Sequence, residues 1–83
     1  MKLNDDLIKK LEKQYTPSTM IDMEFRGNDL SFKTDEEGNP ILLFIGKRTG
    51  DGNVRGERYA RTLKYDREGN RIKDHWELKG KAT

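Results

Sequence analysis

The chain has no cysteine, so disulfides, thiolate nucleophiles and cysteine metal ligands are excluded. It has one histidine, one tryptophan and two prolines. Its longest apolar run is Ile41 to Ile45, too short for a membrane-spanning helix. The polar N-terminus does not read as a secretory signal. No membrane insertion and a cytoplasmic location are therefore the expectations. Large apolar residues are also scarce: Leu, Ile, Val and Phe supply 17 of 83 residues, against 39% charged. Such scarcity accompanies disorder when net charge is high. Here 17 basic and 15 acidic side chains leave only +2, so composition does not force disorder. The length suits a single small domain over residues 1–83, with little material for a deep catalytic pocket. Surface clefts, exposed sheet faces and partner surfaces are the places where such a chain acts.

What is present begins with a helix signal. Asn4 is a cap residue, Asp5 and Asp6 favour the positive end of the helix dipole, and Lys9, Lys10 and Lys13 favour the other end. Leu3 and Ile8 stand at hydrophobic-staple positions. Leu7, Ile8, Leu11 and Tyr15 form an apolar stripe, and Pro17 disfavours helix at Thr16. The expectation is an amphipathic helix over 5–15 that covers a sheet.

From Ser18 onward the period becomes two, with four hairpin signals in succession. Strands are expected at about 20–26, 29–34, 40–48, 54–65 and 70–79. Centring the first turn on Gly27-Asn28 sets Phe25 against Leu30 and Met23 against Phe32. A four-residue loop, Asp35-Glu36-Glu37-Gly38, sets Phe32 against Ile41. The Gly50-Asp51-Gly52 connection sets Leu43 against Tyr59. The turn Asp66-Arg67-Glu68-Gly69 sets Leu63 against Ile72, Arg61 against Asp74 and Tyr59 against Trp76. One face then carries Ile21, Met23, Phe25, Leu30, Phe32, Ile41, Leu43, Ile45, Tyr59, Leu63, Ile72, Trp76 and Leu78. The fold class expected is α+β: an N-terminal helix on a five-stranded antiparallel meander, strongly twisted, with closure toward a barrel as one outcome of that twist.

Residues 33–41 and 64–72 agree at six of nine positions, Lys, Asp, Glu, Gly, Asn and Ile. Across that turn, Tyr65-Asp66 resembles the tyrosine–aspartate repeats of large bacterial shell proteins. Those arrays need many copies, and shared turn chemistry, Asp opening and Gly supplying the left-handed residue, accounts for both stretches. No family is inferred.

Polarity breaks the pattern twice. Arg61 and Asp74 fall on the core face, where buried charges must pair. They form either a bridge at the sheet edge or at the open end of a curved sheet, or the polar floor of a small ligand-binding cup walled by Tyr59 and Trp76, in which Arg61 would hold a carboxylate or phosphate group. The opposite face carries Leu42, Phe44 and Ala60, rimmed by Arg58 and His75, and a regular apolar spot there suggests contact with a partner or ligand. A homodimer through Leu42 and Phe44 is one form of that contact. Charge is also uneven. Residues 1–45 carry 6 basic and 9 acidic side chains, and residues 46–83 carry 11 and 6. Phe44, Arg58, Lys64, Arg71, Lys73 and His75 on one basic face are the alternative, a single-stranded nucleic-acid site. No nucleophilic triad, phosphate loop, calcium loop or metal-ligand spacing is visible, so neither an enzyme nor a cofactor or metal is expected. The leading expectation is a small non-enzymatic binding or protein-interaction module.

Overall fold

The computed structural model describes residues 3–82. The elements run α1 (Asp5–Leu11), β1 (Met20–Phe25), β2 (Asn28–Thr34), β3 (Pro40–Arg48), β4 (Val54–Tyr65) and β5 (Arg71–Ala82). All neighbouring strands pair antiparallel in chain order, giving an α+β meander. The sheet does not close into a barrel: β1 and β5 are its two edges. A barrel needs matched strands at the seam, and β1 has 6 residues where β5 has 12.

The Asn4 side chain accepts a hydrogen bond from the Leu7 amide at 2.8 Å, capping α1, with Asp5 and Asp6 in the first turn. The helix ends at Leu11, not at residue 15. Beyond Glu12 the chain is drawn to the second turn instead, where the Tyr15 amide donates to the Gly38 carbonyl at 2.9 Å. Tyr15 keeps its apolar role without helical geometry, edge-on to Phe32 at 4.9 Å between ring centroids. Leu7 and Leu11 pack with Leu30, Phe32, Leu43, Ile45 and Tyr59 as the buried core. Ile21, Met23, Phe25 and Trp76 pack around it half-buried.

Three of the four hairpin registers differ from the sequence reading by two residues, a shift that preserves which face each core residue occupies. In the first, Met23 pairs with Leu30 and Ile21 with Phe32. The turn centres on Arg26-Gly27, both at positive φ, rather than on Gly27-Asn28. In the second, Phe32 pairs with Leu43, and in the fourth Leu63 pairs with Asp74, Arg61 with Trp76 and Tyr59 with Leu78. The cause is the same in both. Asp35 and Asp66 amides donate to the Asn39 and Asn70 carbonyls, each at 2.9 Å, which shortens the loop. A bulge follows each loop, at Pro40-Ile41 and at Arg71-Ile72, and adds one residue. The third register, with Leu43 opposite Tyr59, is as read from the sequence.

The bulges correct the core assignment. Ile41 is half-buried and outside the core cluster. Ile72 and Leu78, expected in the core, are 66% and 41% exposed. Leu63 is half-buried. Both exposed residues lie on β5, an edge strand that α1 does not cover. Moreover, β3 pairs with β4 only from Val54 to Ala60, so Arg61–Tyr65 pair with β5 alone. The end of the β4–β5 hairpin thus projects as a two-stranded arm.

Candidate functional site

At the base of that arm lies Arg61, whose side chain is 1% exposed. The bulges make Arg61 and Asp74 diagonal rather than directly opposite, yet they meet: Arg61 Nε donates to Asp74 Oδ1 and Nη2 to Oδ2, both at 2.7 Å. Arg61 Nη1 donates to the Leu11 carbonyl at 3.1 Å and the Pro40 carbonyl at 3.2 Å. One guanidinium therefore caps the end of α1, satisfies the start of β3 and neutralises a carboxylate on β5. Its hydrogen bond holds the Asp74 carboxyl below the usual range, with the Arg61 and Arg71 charges adding to it. Arg61 lies 5.6 Å from the Trp76 ring centroid. This arrangement is a structural latch. It leaves Arg61 committed to protein acceptors and Asp74 facing the space beside it.

That space is a cleft of about 360 Å³ between α1 and β5. Leu3, Ile8 and Glu12 line it from the helix side, and Tyr59, Arg61, Asp74, His75, Trp76 and Leu78 from the sheet. Leu3 and Ile8, the staple pair, thus serve as one wall. Trp76 is half-buried there and Leu78 exposed. Sequence reasoning found Tyr59, Arg61, Asp74 and Trp76 but missed Leu3, Ile8, Glu12 and Leu78, because neither the helix face that looks past the core nor the exposed end of an edge strand can be told from periodicity alone.

The opposite face is not covered by α1. Leu42 pairs with Ala60 and Phe44 with Arg58, and Thr62 pairs with His75 one step further along β4. Leu42, Phe44 and Ala60 are half-buried, while Arg58 and His75 are exposed. Phe44 lies instead along a second cleft of about 330 Å³ with Met20, Asn53 and Val54. Within the basic set, Lys64 is the direct partner of Lys73. Arg71 does not join them. The bulge pairs it with Tyr65, and its guanidinium sits 5.7 Å from that ring and 3.3 Å from Asp74, on the cleft side. The expected outward placement of Arg71 is therefore corrected, since a single extra residue reverses the alternation.

Among the described residues, no three His, Asp or Glu side chains are grouped to hold a metal ion, and no helix is long and apolar enough to cross a membrane. Comparison with known proteins gives no match: no family model, curated protein or solved structure matches this chain.

Proposed function

We propose that the chain is a non-enzymatic protein-interaction module that takes an extended segment along the free edge of β5. The observation that carries this reading is the exposed edge itself, lying beside an open cleft. Among the described residues β5 pairs only with β4, so its outer backbone groups are unpaired within the sheet. Beside it stand Trp76, exposed Leu78 and, across the cleft, Ile8 of α1 and Leu3, which lies just ahead of the helix cap. An added strand gains main-chain hydrogen bonds along the edge, and its alternate side chains enter the cleft. Apolar side chains suit the Leu3–Ile8–Trp76–Leu78 walls. Asp74, already paired to two arginines, and Glu12 supply the polar rim.

The Leu42–Phe44–Ala60 spot supports this reading less, because its residues are already half-buried in the sheet and lack a free edge beside them. The nucleic-acid alternative loses Arg71 to the other face, leaving Arg58, Lys64, Lys73 and His75 without a continuous aromatic platform next to them.

The test is a titration of the isotope-labelled protein with a library of short unstructured peptides, read by amide shifts and by Trp76 emission. Shifts concentrated on residues 71–79 with a blue shift of the tryptophan are expected. Shifts confined to the Leu42–Phe44 face, or none with any peptide, overturn the reading.

A further inference from the structure

We infer that the extended segment β5 accepts is β5 of a second copy of this chain, antiparallel, with His75 on the two-fold axis. The inference rests on the edge-strand reading above and adds the partner's identity.

The argument begins at Lys73. Across β4–β5 it lies directly opposite Lys64. Like charges in that position destabilise a sheet, and among the described residues neither lysine makes an ion pair. A carboxylate on the other side of Lys73 would relieve this, and the free edge is where it must come from. Glu77, on the same face of the same strand, is exposed and held only by Lys79, an exposed near neighbour.

A two-fold axis through His75 brings each Lys73 opposite Glu77 of the other copy, twice per dimer. On the cleft side it sets Asp74 opposite Trp76, and at the ends of the contact it brings the exposed bulge residue Ile72 near exposed Leu78. The two Trp76 side chains become diagonal neighbours, within reach of each other. The adjoining registers that keep faces matched lose the Lys73–Glu77 pairs: an axis through Asp74 opposes the two Asp74 carboxylates, and an axis through Trp76 sets Lys73 against Lys79, the extra residue of a bulge between Leu78 and Gly80. An axis through Glu77 opposes the two Glu77 side chains. Edge charges thus select one register by attraction and reject its neighbours by repulsion. Such a contact is isologous and closes as a dimer, with the two open sheets continuing as one. It also covers the regular stretch of edge between the bulges at Ile72 and Lys79, residues 73–78, which no proline interrupts and which otherwise invites unspecific pairing.

Sedimentation of the intact chain over roughly two decades of concentration tests this, since dimer fraction follows mass action. The expected result is a monomer–dimer equilibrium. Glu77→Lys should weaken it by about tenfold or more, as should Lys73→Glu, and the double exchange K73E/E77K should restore it to within about threefold of the original. Both positions are exposed, so none of these variants removes a core contact. A dimer that Glu77→Lys leaves intact, or that Phe44→Ala abolishes, places the interface elsewhere and overturns the inference. A chain that stays monomeric throughout overturns it too. If such a monomer still shows peptide-induced shifts on β5, the edge-strand reading survives and only the second copy is refuted.

Discussion

The guanidinium of Arg61 joins three elements that are far apart in sequence: the end of α1, the first residue of β3 and the middle of β5. Its planar fork makes the arrangement specific, because a lysine ammonium cannot bond Asp74 side-on while also reaching two carbonyls. Asp74→Asn keeps the shape and removes the charge. It should cost about 2–3 kcal/mol in urea unfolding, less than the roughly 3–5 kcal/mol for breaking a fully buried pair, since Asp74 is 32% exposed. Arg61→Lys should not be benign either, costing more than Lys-for-Arg changes at exposed positions such as Arg67. The same contact sets an acid limit. Hydrogen bonding to Arg61 lowers the folded-state pKa of Asp74. Its contribution is therefore complete above the unfolded value of about 4 and is lost as pH falls through the depressed folded value. Unfolding free energy should decline below about pH 4, and Asp74→Asn should flatten that decline. A decline equally steep in the variant would assign it to other carboxylates.

Among the elements, the paired turns Asp35–Asn39 and Asp66–Asn70 show one sequence solution used twice. In each, the Asp side chain accepts from the amides two and four residues on, all at 2.9 Å. The glycine sits at φ +86 in one and +87 in the other. Their surroundings differ. A Cβ at Gly38 would lie 2.2 Å from the Tyr15 carbonyl oxygen, whereas nothing is within 4 Å of one at Gly69. Gly69→Ala should therefore cost only the left-handed backbone penalty, about 1–2 kcal/mol. Gly38→Ala should cost clearly more, because the segment after α1 must also move away. Equal melting temperatures for the two variants would show that the Tyr15 contact contributes nothing. The repeat of six residues in nine was legible in the sequence, as was its turn chemistry. The bulge after each turn was not, because no residue type announces it. Pro40 and Arg71 occupy equivalent bulge positions with unlike side chains.

At the scale of the whole molecule, one face of the sheet is closed by α1 and the other is left without a helix. Phe32 is fully buried on the first and Phe44 half-buried on the second. Phe32→Ala should cost about 3–5 kcal/mol and Phe44→Ala less than half as much, by thermal or urea unfolding. A comparable loss for Phe44 would reveal a second core on the outer face. The edges differ as well. Short β1 is tied down by α1, whose Asp6 bonds Arg26 in the adjoining turn. Among the described residues, long β5 has no neighbouring strand on its outer side. Amide exchange on the outward-facing groups of residues 73–79 should slow as protein concentration rises if β5 pairs with β5, and stay constant if it does not.

The sequence by itself determined the kinds and order of the elements, the face each core residue occupies and the presence of an arginine–aspartate pair on the core side. These follow from local periodicity, turn chemistry and the cost of burying unpaired charge, which act over a few residues. Tertiary structure decided where α1 stops, which partners Arg61 holds, and that Ile72, Leu78 and Arg71 lie along an uncovered edge beside a cleft. Those outcomes depend on bulges and on how far a seven-residue helix reaches across five strands. Such reach is a property of packing between distant segments, and no spacing within any one segment encodes it.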